Sequence, residues 1–267
     1  MTETAYKVFE RCILDLKLHM EVREFAQFVD ENNLSDESVA AIGSLLDYIR
    51  EKKRQKSVEV LKKLSRLPMK QPKTFSNFRF DDIRGKDIEK LRAVPNMSAI
   101  YENKNLAFIG KQGVGKTHLA MAFGFECCNR GLKTYFTTFS ELNDKFTEAR
   151  RLGNTDRVIS NLVKPSCLSI DEVGYCTFDL ENTRLFFHMV NRRYGKENAS
   201  NMVFTSNKDP ALWKDLFSED DTLHCALDRI FDNASVFIIK GETHRGKNRE
   251  IIPLTTSQVK DPDRSER

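Results

Sequence analysis

The chain carries Gly110-Lys111-Gln112-Gly113-Val114-Gly115-Lys116-Thr117 directly after the apolar run Leu106-Ala107-Phe108-Ile109. This fits the pattern G-x-x-x-x-G-K-[ST] in the setting it requires, a strand before it and a helix after it. Glycines let the backbone fold into a concave nest whose N–H groups face inward, which suits an anion. Lys116 then supplies a point charge to the β- and γ-phosphates, and the Thr117 hydroxyl holds Mg²⁺. His118 opens the helix behind the loop and is grouped with it by position. The ligand class implied is a nucleoside triphosphate, with ATP and Mg²⁺ as the expected pair.

Five short strand candidates follow one another at 105–109, 133–138, 167–171, 202–206 and 235–240, each trailed by helical or polar material. Such alternation predicts an α/β fold, a parallel five-stranded sheet covered by helices on both faces. The first crossover helix runs from Thr117 to Asn129 and is closed by Gly131. Others are expected near Glu141 to Leu152 and near Glu181 to Tyr194.

Upstream, Val8, Ile13, Leu14, Leu16, Leu18, Val22, Phe25 and Phe28 recur at helical spacing, so residues 4–30 read as helix. Ser35, with Glu37 close behind, caps a second helix through Leu45, Leu46 and Ile49. The pattern continues through Arg50-Glu51-Lys52-Lys53-Arg54 to Leu64 and is compatible with one long basic helix ending before Pro68. Pro68 and Pro72 bracket a linker, Met69 to Lys73. The expected organisation is a small helical domain at 1–73, a nucleotide-binding domain at 74–256 and a flexible tail at 257–267. Phe75, Phe78 and Phe80 read as an extended segment packed on the core, with flanking of the nucleotide base as the alternative.

A hydrophobic content of 40% is enough for a buried core. No apolar run approaches the roughly 18 residues of a membrane span. The acidic start Met1-Thr2-Glu3-Thr4 leads into no signal-like core, so a cytoplasmic protein is expected. The six cysteines form no C-x-x-C pair and read as reduced, mostly buried thiols rather than a zinc framework. The net charge of +4 is unevenly placed, with basic residues crowding the stretch from Arg50 to Lys73. A solvated helix face and a phosphate-backbone contact both account for that run.

Cys167-Leu168-Ser169-Ile170-Asp171-Glu172 places an acidic pair at the C-terminal edge of a buried strand, where ligands bind in this sheet type. Asp171 is expected to bind Mg²⁺, directly or through water, and Glu172 to act as general base on the attacking water. Asn207, at the tip of the strand ending Thr205-Ser206, fits a γ-phosphate sensor, against the alternative of an Asx turn before Pro210. Arg229, held within an apolar helix, is expected to reach the γ-phosphate of a neighbouring subunit. Arg245, just past the last strand, is expected to act within its own subunit.

The strings GKQGVGKTHLA, LSIDEVGY, LFFHMVNRRY, VFTSNKDPALW, ALDRIF and IKGETHR together resemble an AAA+ ATPase of the initiator and helicase-loader branch. The closer resemblance is to the IstB-type ATP-binding helper proteins of insertion sequences. That resemblance implies ATP-dependent assembly on DNA and delivery of the DNA to the transposase of the same element. By motif position it makes Lys116 and Thr117 the phosphate and Mg²⁺ ligands, and Asp171 and Glu172 the Walker B pair. Asn207 becomes the sensor, Arg229 the arginine finger and Arg245 the second sensor. His244 departs from the family, which more often has tyrosine there. Too few residues follow Asn207 for a C-terminal helical lid, which the loader branch also lacks.

For DNA, the candidates are Arg50, Lys52, Lys53 and Arg54 on the basic helix, with Lys145, Arg150 and Arg151 on the helix after the second strand. Contacts of this kind go to phosphates with little sequence preference. The competing readings are a replicative helicase loader with the same core, and a nucleotide-gated clamp whose hydrolysis is incidental.

Overall fold

The computed structural model describes residues 3–197, 200–218 and 223–240. It opens with α1 (Glu3–Leu16), α2 (Val22–Glu31) and α3 (Asp36–Leu64), followed by the short helices α4 (Ile88–Arg92) and α5 (Ser98–Tyr101). Then strands and helices alternate: β1 (Asn105–Gly110), α6 (Lys116–Asn129), β2 (Thr134–Thr138), α7 (Phe139–Arg151), α8 (Thr155–Val163) and β3 (Cys167–Val173). The order closes with α9 (Leu180–Tyr194), β4 (Asn201–Ser206), α10 (Leu223–Asp232) and β5 (Ala234–Ile239).

All five strands are parallel, in the order β2-β3-β4-β1-β5. Every residue of β4 is buried, as expected where helices cover both faces of a parallel sheet. Alternation along the strands splits the core in two. Ala107, Ile109, Leu168, Ile170, Met202 and Phe204 face α7, α9 and Trp213 on one side. Leu106, Phe108 and Val203 face Leu119, Phe123 and Cys127 of α6 on the other.

Two sequence expectations need correction. Residues 4–30 are not one helix. Lys17 turns left-handed at φ 56°, and a capping box between Glu21 and Glu24 starts α2 afresh. The reversal stacks Phe9 on Phe25 and lets α1, α2 and the start of α3 share one small core around Val39. A continuous helix would leave half of those side chains in water. The other correction is α8, which falls in a stretch with no expected element. Its Ile159 and Leu162 are buried beneath α9.

α3 is a single helix of 29 residues, capped at Ser35, whose hydroxyl accepts from the Ser38 amide at 3.2 Å. Its far end meets the sheet directly. The Ser65 carbonyl accepts from the Phe136 amide at 2.8 Å on the open edge of β2, and Leu67 is buried against Phe125 and Phe136. Edge strands need such cover. The helical segment is therefore anchored before the proline linker begins. Leu67→Ala should lower stability by about 2–4 kcal/mol, read as a shifted urea midpoint, because it empties that anchor.

Candidate nucleotide site

The loop after β1 depends on two glycines. A Cβ at Gly110 would lie 2.2 Å from the Ile239 carbonyl oxygen at the end of β5, so only glycine lets the neighbouring strand pass. Gly115 has φ 95°, and a Cβ there would lie 2.8 Å from the Phe78 ring. Val114 anchors the loop by burying its side chain, while Gln112 and Gly113 form the rim and Lys111 is exposed. The Lys116 ammonium bends over the nest and donates to the carbonyls of Gly110 (2.9 Å) and Lys111 (2.8 Å).

Because β4 lies between β1 and β3, the C-terminal ends of all three stand side by side. Asp171, 5% exposed, receives the Thr117 hydroxyl on Oδ1 at 3.0 Å and the Thr205 hydroxyl on the same oxygen. Burial pushes its carboxyl above the ordinary range, against the opposing pull of the two hydroxyls and the Lys116 charge. At Asp171 and Glu172 the β3–β4 pairing slips, with Ile170 opposite Phe204 but Val173 opposite Ser206. Two residues thus oppose Thr205 alone, which makes a β-bulge. Glu172 sits in it at φ 60°, exposed on the cavity wall with its amide donating to the Thr205 hydroxyl at 3.0 Å. Asn207 lines the same cavity from the tip of β4.

That cavity encloses about 390 Å³, and its outer wall is the expected linker: Pro68, Gln71 and Lys73. The segment beyond, expected as extended chain packed on the core, folds instead into single 3-10 turns at Phe75–Asn77 and Phe80–Asp82, with Phe75, Phe78 and Phe80 packed on the core. His118 turns out to hold this segment. Its ring Nε2 donates to the Thr74 carbonyl at 2.8 Å, its face meets the Phe78 ring at 5.1 Å, and burial lowers its pKa. Nothing in the linear pattern singles out Thr205, although it stands two residues before Asn207. The linker's place on the site likewise had no sequence signal.

Residues 13–251 match the family described as IstB-like ATP binding protein. The chain belongs to this family. It is 34% identical to the ATP-binding protein of insertion sequence IS5376 from Geobacillus stearothermophilus, over 74% of this chain and 77% of that one. To the ATP-binding protein of insertion sequence IS21 from Pseudomonas aeruginosa it is 30% identical, over 78% of each. In fold it is similar to AMPPCP-bound DnaA from Aquifex aeolicus, with a TM-score of 0.53 and 22% identity over 66% of this chain and 51% of that one. DnaI gives a TM-score of 0.50 at 21% identity, over 63% of this chain and 91% of that one. The fold is the AAA+ P-loop fold, with N-terminal helices added.

Within this IstB-like chain, Arg229 stands apart from the loop. Its Nη1 donates to Asn191 Oδ1 and its guanidinium lies 5.8 Å from the Tyr194 ring centroid. With Asn103, Asn105 and Met202 it lines a second cavity of about 220 Å³, at the N-terminal ends of β1 and β4. Strands of this length separate the two ends by roughly 15–20 Å. Arg245 and His244, and the expected absence of a lid, fall outside the described residues, as do the boundary at 256 and the tail.

The basic candidates all have partners within the chain. Arg50, with its side chain 20% exposed, bonds Asp47 (2.8 Å) and Asp15 (3.3 Å), and Lys53 caps α1 at the Leu16 carbonyl (3.0 Å). Arg54 grips both oxygens of Glu51, which holds that carboxyl down at about 2. Lys52 lies over Tyr48 and Lys145 over Tyr135. Arg150 ties Asp179 (2.7 Å) to α7, and Arg151 pairs with Glu148. Exposed pairs of this kind are weak and give way to a competing anion. Arg50 and Lys53, by contrast, join α1 to α3.

Gly115→Ala should weaken ATP binding at least tenfold while leaving the circular-dichroism spectrum unchanged. The added methyl must push Phe78 aside in a left-handed backbone. Unaltered affinity for a fluorescent ATP analogue would contradict this account of the loop.

Proposed function

We propose that the chain is a DNA-stimulated ATPase that serves as a transposition helper, assembling on target DNA and regulating the transposase of its own insertion sequence. The observation carrying the enzymatic part is the convergence of Lys116, Thr117, Glu172 and Asn207 on one cavity, with buried Asp171 bonded to Thr117 behind them. The relatives' origin in insertion sequences favours transposition over helicase loading. Residues 74–256 form the ATPase unit of this reading, and no helix among the described residues is long and apolar enough to cross a membrane.

In the hydrolytic step, a water oxygen bonds to the γ-phosphorus as the bond to the β–γ bridging oxygen breaks. Glu172 takes the water proton, and ADP and phosphate leave. Lys116 meets charge on the β- and γ-phosphates, and Asn207 hydrogen-bonds the γ-phosphate or the lytic water. Thr117 and Asp171 would hold Mg²⁺, which neutralises the phosphate oxygens when bound. Their hard oxygens, 3.0 Å apart at the cavity, suit an ion that fills its remaining positions with water and phosphate. Among the described residues no cluster of three or more acidic, histidine or cysteine side chains competes as a cation cage.

The separation of Arg229 from its own loop supports a finger acting in trans. Each site is then complete only between two subunits, and nucleotide binding drives assembly on DNA. Arg245 is assigned to the same subunit's phosphates. Exposed Lys52, Arg54, Arg150 and Arg151 and half-buried Lys145 are the candidates for the DNA backbone; Arg50 and Lys53 are better explained as structural.

Turnover with and without duplex DNA tests this reading. Glu172→Gln should cut kcat by about 10²–10⁴-fold. Turnover that ignores both DNA and this substitution would sink the enzymatic assignment. Arg229→Ala should bind ATP but hydrolyse it about 10³-fold more slowly. Mixing it with Lys116→Ala, which cannot bind ATP but still carries Arg229, should restore part of the rate. DNA affinity should fall steeply as salt rises from 50 to 200 mM.

A further inference from the structure

The motifs assign no role to Thr205, yet its hydroxyl bonds both members of the acidic pair. Its single proton has one direction available. The Glu172 amide can only donate, so the hydroxyl oxygen accepts from it at 3.0 Å, and the proton goes to Asp171 Oδ1. Thr205 is 1% exposed and lies at the wall of the cavity.

The position of these bonds matters as much as their number. β3 runs in register with β2 as far as Asp171, opposite Thr138, but its register with β4 ends at Ile170 and resumes only at Val173. At the bulge, the Glu172 amide finds its acceptor in the Thr205 hydroxyl. On the far side of the bulge, the Ser206 hydroxyl donates to the Val173 carbonyl at 2.7 Å. Two consecutive hydroxyls of β4 therefore clamp the irregular turn of β3. Left-handed backbone in a glutamate is strained and persists only where surrounding bonds enforce it.

We propose that Thr205 is a positioning residue for hydrolysis, holding the β3 bulge so that Glu172 is presented to the attacking water. This rests on the ATPase reading above. Because Thr205 and Asn207 share the end of one strand, a shift of β4 on contact with a γ-phosphate reaches Glu172 through this hydroxyl.

The test uses the full-length protein with duplex DNA and compares Thr205→Val, Thr205→Ser and Thr205→Ala. Valine keeps the shape and removes both hydrogen bonds; serine and alanine differ from each other only in the hydroxyl. Thr205→Val should lower kcat by about 10–100-fold, as loss of an outer supporting partner commonly does. KM for ATP should move less than threefold. Thr205→Ser should recover most of the rate, and Thr205→Ala should not. Added to Glu172→Gln, Thr205→Val should cost little more, since both act on one group. Normal kcat in Thr205→Val, equal rates for the serine and alanine variants, or full additivity with Glu172→Gln would each overturn the proposal. Should the valine variant fail to fold, the serine–alanine pair decides alone. A Glu172→Gln variant with undiminished turnover would instead defeat the ATPase reading itself.

Discussion

The carboxylate of Asp171 is buried at the end of a central strand, and the site is built around keeping it there. A buried charge is costly unless hydrogen bonds compensate it. Here the compensation comes from two other elements, the Thr117 hydroxyl at the start of α6 and the Thr205 hydroxyl on β4. Each bond joins an element of the sheet or loop to β3. The carboxylate therefore fixes the spacing of phosphate loop, acidic pair and β4 relative to each other. Preorganised polar groups of this kind do their work without rearranging during the reaction.

The same geometry explains why the cavity is walled by the linker. α3 ends against the open edge of β2, with the Ser65 carbonyl paired to the Phe136 amide. From that point the chain must cross the mouth of the site to reach β1 in the middle of the sheet. Pro68, Gln71 and Lys73 consequently face the cavity, and His118 fastens the far end of the crossing at Thr74. A long basic helix and a nucleotide site thus share one strap of chain.

Much of this is legible in the sequence. The five strands lie within a residue or two of their expected positions, because buried parallel strands read as short apolar runs between helical stretches. The loop glycines and Lys116 were readable because their spacing follows from phosphate geometry. The break at Lys17 was not, since a helical pattern looks the same whether the chain continues or doubles back. His118 was grouped with the phosphate loop by position, yet its ring holds the incoming strap. The basic residues of α3 read as one patch, but Arg50 and Lys53 are spent on α1.

By itself, the sequence determined the fold class and the chemistry of the loop. Both follow from local spacing: strand–nest–helix order, glycine at the crowded positions, and an acidic pair ending a buried run. Only the tertiary structure decided how these parts meet. The parallel order β2-β3-β4-β1-β5 brings Thr205 of β4 against the acidic pair of β3 and sends Arg229 to the opposite end of the sheet. Those relations join residues more than thirty positions apart. They arise from strand pairing and a single-residue bulge, and a linear pattern carries no record of either.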